Sequence, residues 1–202
     1  MLTVDRAVLL ARACSLAFLP PTAIPSSPLA NGLRFVGQVE DPASQAGATV
    51  LRVRDSDETI IACRGSASTR NFQCNFNVGP AKLSTPNGPH PTATVHAGFQ
   101  AASKELWQRL APLLPDTGPL VCTGHSLGGG TATLISLNAL AAGRDAPELV
   151  TVAGPRLGND AFASYYREVN AKRATHLVHS DDDVLKSNQK LWNECAPAAL
   201  PV

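Results

Sequence analysis

The chain has 202 residues, of which 44% are hydrophobic, and it carries a formal net charge of +1. This length and composition are typical of one globular domain with a sizeable core. No block of Lys and Arg residues appears, which argues against a nucleic-acid partner, and no apolar run approaches the length of a membrane span. We therefore expect a single domain over residues 1–202 without a transmembrane segment.

The first predicted element is a helix over residues 5–18. The apolar run from Ala7 to Phe18 also resembles the core of a signal peptide, but Arg12 interrupts it and Asp5 precedes it. The same apolar residues fit a helix that packs on the domain. The packed helix is therefore the preferred interpretation.

The cysteines form an odd, scattered set without the spacing of metal ligands. Two of them, Cys63 and Cys122, lie inside predicted strands, where a cysteine behaves as a small apolar residue. This usage favours the cytoplasm or another reduced compartment. The full set is Cys14, Cys63, Cys74, Cys122 and Cys195.

The remaining sequence alternates between strand and helix patterns. Two apolar runs, 48–54 and 59–63, flank a polar turn and predict an antiparallel hairpin. The other predicted elements are loops over 20–28 and 79–94, helices over 97–114 and 159–170, a helix ending near Gly143, and strands over 119–123, 148–153 and 174–179. This order predicts an α/β fold with a largely parallel sheet and helices on both faces.

The segment from Pro119 to Gly130 has the pattern of a nucleophile elbow, in which Gly-His-Ser-Leu-Gly joins a strand to a helix. In such a turn Ser126 has a strained backbone, and Gly124 and Gly128 approach each other too closely for a side chain. The N–H of Leu127, at the start of the helix, is then placed to stabilise an oxyanion. The alternative is a glycine-rich turn with an exposed serine.

A serine needs a neighbouring base, normally a histidine that a carboxylate orients. Asp181, Asp182 and Asp183 follow the last predicted strand, at the sheet edge where ligands bind in α/β folds. Three adjacent carboxylates are costly to bury together, so at most one is expected to point into the site.

Five segments in order resemble the fungal-type (class 3) lipases of the α/β-hydrolase fold. The resemblance extends over about residues 5–185, and residues 186–202 stay unassigned. The matching segments are Cys63-Arg-Gly-Ser-Ala-Ser-Thr-Arg-Asn-Phe72, Val95-His-Ala-Gly-Phe99, Thr123-Gly-His-Ser-Leu-Gly-Gly129, Ala153-Gly-Pro-Arg-Leu-Gly-Asn159 and His179-Ser-Asp-Asp-Asp-Val184.

The resemblance implies roles for several residues. Ser126 is the implied nucleophile, Asp182 the implied triad acid, and Ser66 the implied partner of Leu127 in the oxyanion hole. Residues 69–76 correspond to the lid, where Phe72 and Phe76 would form an apolar face toward a lipid surface. The alternative for these two aromatics is an ordinary loop. The chemistry requires no cofactor or metal, and water is the second substrate.

The family's catalytic histidine lies downstream of the aspartate, but no histidine follows Asp182 here. Three explanations stay open: a C-terminally truncated or mis-spliced chain, which is preferred; a lipase-like protein that has lost turnover; or a different base. Among the five histidines, structural roles are favoured, with His90 as the one candidate for a replacement base because it is predicted in a loop. The other four are His96, His125, His176 and His179.

The resemblance implies a serine hydrolase for the carboxylic esters of lipids, acting at a lipid–water interface. The first alternative is a catalytically inactive module that binds lipid or a protein partner. A weaker alternative is acyl transfer to an alcohol through the same serine.

Overall fold

A computed structural model of the chain describes residues 2–65, 79–170 and 173–177. The first helix, α1, spans Val4–Leu16, and Thr3 caps it by accepting the N–H of Arg6 at 3.2 Å. This confirms the predicted N-terminal helix. Three strands follow: β1 Leu33–Glu40, β2 Gly47–Val53 and β3 Thr59–Arg64.

The rest of the described chain adds five strands and three helices, and from α2 onward helices and strands alternate as predicted. Its elements are β4 Pro80–Thr85, β5 Gly88–His96, α2 Ala97–Leu110, β6 Leu120–His125, α3 Leu127–Ala141, β7 Glu148–Val152, α4 Asp160–Asn170 and β8 Ala174–Leu177. A 3₁₀ turn over Ala111–Leu113 extends α2.

Six of these strands form the main sheet, in the order β1-β2-β3-β6-β7-β8. Strands β1, β2 and β3 pair antiparallel, which confirms the predicted hairpin, whereas β3, β6, β7 and β8 run parallel. The parallel strands therefore place their carboxyl ends at one edge of the sheet.

Helices cover both faces of this sheet. On one face α1 buries Leu10 and Leu16 against strand residues that include Ile60 and Val121. On the other face α2, α3 and α4 bury a larger cluster, with Phe99 and Ile135 among its members. The two clusters give an α/β architecture, as the alternating pattern predicts.

The prediction of a loop over 79–94 is wrong, because strands β4 and β5 form an antiparallel hairpin there. Most of its side chains face solvent, and only Leu83, Ala93, Val95 and His96 are fully buried. A strand with so few buried positions lacks a clear alternation of apolar and polar residues. The hairpin turns at Gly88, whose φ of 97° suits glycine.

Arg6 fastens α1 to the edge of the sheet opposite the carboxyl ends. Its guanidinium contacts Glu58 at 2.6 Å and Glu148 at 2.5 Å, just before β3 and at the first residue of β7. These carboxylates raise the pKa of Arg6, so the guanidinium stays charged. The ion pairs fix the N-terminal end of the helix over the sheet.

The cysteines within the described residues are free thiols. Cys14, Cys63 and Cys122 are buried, which confirms the prediction of apolar strand positions for the latter two. Burial raises the pKa of Cys122 to about 12, so this thiol stays protonated and unreactive. The predictions for Cys74 and Cys195 lie outside the described residues.

Candidate active site

Ser126 lies at the junction of β6 and α3, where the chain changes from strand to helix in one residue. Its backbone has φ 53° and ψ −128°, a conformation rarely adopted by residues other than glycine. The N–H of Ser126 donates to the carbonyl of Val152 at 2.9 Å, and its own carbonyl accepts the N–H of Gly129 at 2.8 Å. The predicted strained turn is therefore present.

Two glycines make this turn sterically possible. A Cβ on Gly124 would lie 2.2 Å from the carbonyl oxygen of Gly128, and one on Gly128 would lie 2.2 Å from the carbonyl oxygen of Cys63. Real Cβ atoms do not approach backbone atoms so closely. The close approach predicted between Gly124 and Gly128 is confirmed, with Cys63 of β3 as a further contact.

The next two glycines face different neighbours. A Cβ on Gly129 would lie 3.0 Å from the Cα of Gly154 and 3.2 Å from the Cβ of Thr151, so this residue brings α3 close to the sheet. Gly130 points instead toward the side chains of Phe99 and Leu157, at 2.9 and 2.8 Å from its would-be Cβ. Gly130 therefore allows helix packing against α2 rather than against the sheet.

The first turn of α3 points its N–H groups toward the residues around Ser126. The side chain of Ser126 makes no capping hydrogen bond to this helix, so it does not occupy the first amides. A Cβ on Gly65, which directly follows β3, would lie 3.5 Å from the Cβ of Leu127 and 3.4 Å from the nitrogen of Gly128. The chain therefore reaches the helix start immediately before Ser66, which lies outside the described residues.

The neighbouring parallel strands also end at this edge. Ala153 follows β7 with φ 50°, and its N–H donates to the carbonyl of Leu177 at 2.8 Å. Leu177 is the last residue of β8. The predicted acid Asp182, its neighbours Asp181 and Asp183, and the predicted lid aromatics Phe72 and Phe76 lie outside the described residues.

His96 has a structural position, as predicted. It is 2% exposed, and its Nδ1 accepts the N–H groups of Gly98 at 3.1 Å and Phe99 at 3.4 Å at the start of α2. Burial lowers the pKa of His96 to about 4, so the imidazole is neutral at neutral pH. Since Nδ1 is an acceptor, the proton lies on Nε2.

His90 lies in β5 and not in a loop, so the reason for proposing it as a replacement base was wrong. Its Nδ1 accepts the N–H of Ala93 at 2.9 Å and of Thr92 at 3.3 Å, and its ring meets Tyr165 edge-on at 5.2 Å. A triad base carries its proton on Nδ1 and receives the serine proton on Nε2. His90 is held in the opposite tautomer.

His176 lies in β8 and pairs with a side chain of the adjacent strand. Its Nδ1 is 2.7 Å from the hydroxyl of Thr151, and burial lowers the pKa of His176. His125 is exposed beside Ser126, and His179 lies outside the described residues. The rings of His90, His96 and His176 are therefore all held in structural hydrogen bonds.

The part of the chain that the structure describes contains neither a metal-binding group nor a membrane-spanning helix. It contains no group of three or more His, Cys, Asp or Glu residues arranged to hold a metal ion. Within the same residues, no helix has the length and hydropathy needed to cross a membrane.

The family model for Lipase (class 3) matches residues 60–190, which is more than half of the chain. The chain belongs to the class 3 lipase family. The matched range includes the elbow around Ser126, β7 and all of β3 except its first residue. The resemblance inferred from the five ordered segments is therefore confirmed.

Relatives and solved structures agree with this assignment. The chain is 32% identical over 155 residues to secreted mono- and diacylglycerol lipase 1 of Fusarium solani, covering 74% of this chain and 45% of that protein. It is 33% identical over 158 residues to a lipase of Rhizomucor miehei, covering 68% and 42%. The chain thus spans less than half the length of these relatives.

The fold is shared with lipase II of Rhizopus niveus. The two structures superpose with a TM-score of 0.73 at 23% identity, covering 92% of this chain and 73% of the other. This structural similarity shows that the chain has the α/β-hydrolase fold.

Two residues of the site were not singled out by the sequence. Ala153 is only one member of a family segment, and an alanine in the sequence does not indicate the positive φ that the structure shows at this position. Thr151 appeared as an ordinary strand residue, although it packs against Gly129 beside the elbow. The one available signal was the Gly-Pro pair directly after Ala153, which marks a turn.

Proposed function

We propose that this chain is built to hydrolyse carboxylic esters of lipids, with Ser126 as the nucleophile. The observation that carries the proposal is the backbone of Ser126, held at φ 53° between β6 and α3 by contacts that exclude side chains at Gly124 and Gly128. Strain of about 1–3 kcal/mol at one residue is kept at functional sites, because it fixes a reacting group in position. The family membership and the names of the relatives support a lipid ester as substrate.

In the proposed reaction the Ser126 hydroxyl attacks the ester carbonyl. A base removes its proton, a tetrahedral intermediate forms, and the alcohol leaves with that proton, after which water releases the acid from the acyl-serine. The negative oxygen of the intermediate is stabilised by the N–H of Leu127 at the positive end of α3 and by Ser66. The contact of Gly65 with Leu127 supports this pairing.

The acid and base complete the proposal. Asp182 is the proposed acid, since β8 carries the chain to the same sheet edge as Ser126 and ends at Leu177, five positions earlier. The base must be a histidine with its proton on Nδ1, which excludes His90 and His96 as held here. Phe72 and Phe76 are the proposed apolar lid face at a lipid–water interface.

The test is covalent labelling of the folded 202-residue chain with a fluorophosphonate probe, with and without added imidazole as a diffusible base. We expect labelling that is lost in Ser126→Ala and retained in Ser164→Ala, a matched change at an exposed serine in α4. Acceleration by imidazole in the wild type would show that only the base is limiting.

A folded wild-type chain that is not labelled, with or without imidazole, would contradict the proposal. Labelling that survives Ser126→Ala would contradict it as well, because another nucleophile would then be responsible. The alternative of a lipid-binding module without turnover predicts saturable binding to phospholipid vesicles that Ser126→Ala leaves unchanged.

A further inference from the structure

The side chains of Thr151 and His176 form a partly buried pair on adjacent parallel strands. Thr151 is 1% exposed, and its hydroxyl lies 2.7 Å from Nδ1 of His176, its neighbour in the register of β7 and β8. Among the described residues this is the only hydrogen bond of the Thr151 hydroxyl. The imidazole therefore determines how the threonine side chain is oriented.

Thr151 lies where the first turn of α3 meets the turn after β7. A Cβ on Gly129 would be 3.2 Å from the Cβ of Thr151, and one on Gly154 would be 3.3 Å from its hydroxyl oxygen. The backbones themselves are in contact, since the Cα of Gly154 would be 3.0 Å from a Cβ on Gly129. The side chain of Thr151 therefore lies against the backbones of both Gly129 and Gly154.

Gly129 connects this contact to the nucleophile. Its N–H donates to the carbonyl of Ser126 at 2.8 Å, which is the hydrogen bond that closes the turn. A displacement of Gly129 therefore changes the geometry of Ser126 directly. The connection runs from His176 through Thr151 and Gly129 to Ser126, and each link is a contact of the described residues.

We propose that His176 is a positioning residue for the nucleophile, acting through Thr151 and the first turn of α3. This inference rests on the proposed function of Ser126. His176 is not proposed as the base, because its partner Thr151 lies beside Gly124 in the β6–β7 register, two residues before Ser126 and within the sheet. It holds the turn in shape without touching the reacting atoms.

The experiment compares variants that keep or remove the hydrogen bond. His176→Asn places an amide oxygen near the position of Nδ1, whereas His176→Leu removes the polar atom. Thr151→Ser keeps the hydroxyl, and Thr151→Val replaces it with a methyl group of similar shape. Each folded variant is measured for its rate of fluorophosphonate labelling, for amide exchange at Ser126 and Gly129, and for global stability.

We expect His176→Leu and Thr151→Val to slow labelling about tenfold or more, because small displacements of a reacting group have large effects on rate. The double variant should be no slower than the slower single variant, since both changes break one contact. His176→Asn and Thr151→Ser should stay within about threefold of the wild type. Amide exchange at Ser126 and Gly129 should rise more than at Ile61 in β3.

Two results would overturn the positioning role. One is labelling that stays unchanged in His176→Leu. The other is an equal rise in exchange at all three amides, which indicates a general loss of stability. If the wild type is not labelled at all, the proposed function fails, but amide exchange at Ser126 and Gly129 still decides whether His176 holds the turn.

Discussion

Ser126 and Ala153 both have a positive φ, 53° and 50°, and each directly follows one of the neighbouring strands β6 and β7. They are linked directly, because the N–H of Ser126 donates to the carbonyl of Val152, the residue before Ala153. Each such conformation costs a residue other than glycine about 1–3 kcal/mol. The edge of the sheet thus concentrates strain in two adjacent turns, one of which carries the proposed nucleophile.

The substitution Ser126→Gly should stabilise the fold, and it should abolish labelling by the fluorophosphonate because it removes the hydroxyl. Ser126→Gly relieves the strain of a positive φ, and glycine loses part of this gain through the greater freedom of its unfolded chain. We expect a net rise of about 1 kcal/mol in the free energy of unfolding. Urea denaturation measures the stability, and probe labelling measures the loss of the nucleophile.

Ala153→Gly is the matched control for this change. It relieves the same kind of strain one strand away and leaves the hydroxyl in place, so it should raise stability by a similar amount without abolishing labelling. A loss of stability in both variants would contradict the assignment of strain to these positions.

Alanine at Gly124 should prevent folding or reduce stability by about 4 kcal/mol or more, because the added Cβ would overlap backbone atoms of α3 rather than a side chain that could move away. The would-be Cβ lies 2.2 Å from the carbonyl oxygen of Gly128. The comparison is Gly143→Ala after α3, where φ is 79° but no atom lies within 4 Å of the added Cβ. That change should cost only the conformational strain, about 1–2 kcal/mol.

The two losses are measured by thermal or urea unfolding of the purified variants. Equal losses would contradict the prediction, because the crowding at Gly124 would then cost no more than the backbone strain at Gly143.

His96 should make the folded protein less stable as the pH is lowered from 6.5 toward 4. Its folded-state pKa is lowered to about 4 by burial, so in this range the unfolded chain binds a proton that the folded chain does not. The shift corresponds to about 3 kcal/mol, fully present at pH values above 6.5 and lost progressively as the pH falls to about 4.

His96→Asn tests this prediction, because an amide oxygen can cap α2 without titrating. Its free energy of unfolding should fall less steeply between pH 6.5 and 4 than that of the wild type. A residual slope of the same sign is expected from His176, whose pKa burial also lowers. Identical slopes for the wild type and the variant would exclude His96 as the source.

Replacing Arg6 by methionine should reduce the free energy of unfolding by about 1–2 kcal/mol, since two partly buried carboxylates then lose their partner. The side chains of Arg6 and Glu58 are 23% and 17% exposed. Arg109→Met is the control, because Arg109 pairs with Glu105 on the exposed surface of α2 and should contribute about 0.5 kcal/mol or less. Similar losses in urea denaturation would show that burial of the Arg6 pairs has no effect.

The elements that could be predicted from the sequence are those with strong local patterns. The elbow combines an apolar strand, glycines at fixed positions and a helix of small residues, so its geometry follows from steric constraints at Gly124 and Gly128. The antiparallel hairpin of β2 and β3 has apolar runs on both sides of a polar turn. These patterns depend on few long-range contacts.

Two other parts of the fold could not be predicted in the same way. Strand β1 has no clear strand pattern in the sequence, because a bulge between Phe35 and Gly37 interrupts its alternation. The β4–β5 hairpin is rich in proline and threonine, and its one usable signal was the Asn87-Gly88 pair at the turn. The Thr151–His176 contact joins strands that are distant in sequence, so no local pattern indicates it.

The ion pair of Arg6 with Glu148 bridges 142 residues of sequence. During synthesis α1 is made before β7. Two of its partners, Glu148 in the ion pair and Val150 in the apolar cluster that α1 buries, are therefore made much later than the helix itself. At about 5–20 residues per second, roughly 7–30 s separate the synthesis of Arg6 from that of Glu148. Until β7 is made, α1 can therefore pack only on the earlier strands, without the ion pair that fixes its N-terminal end.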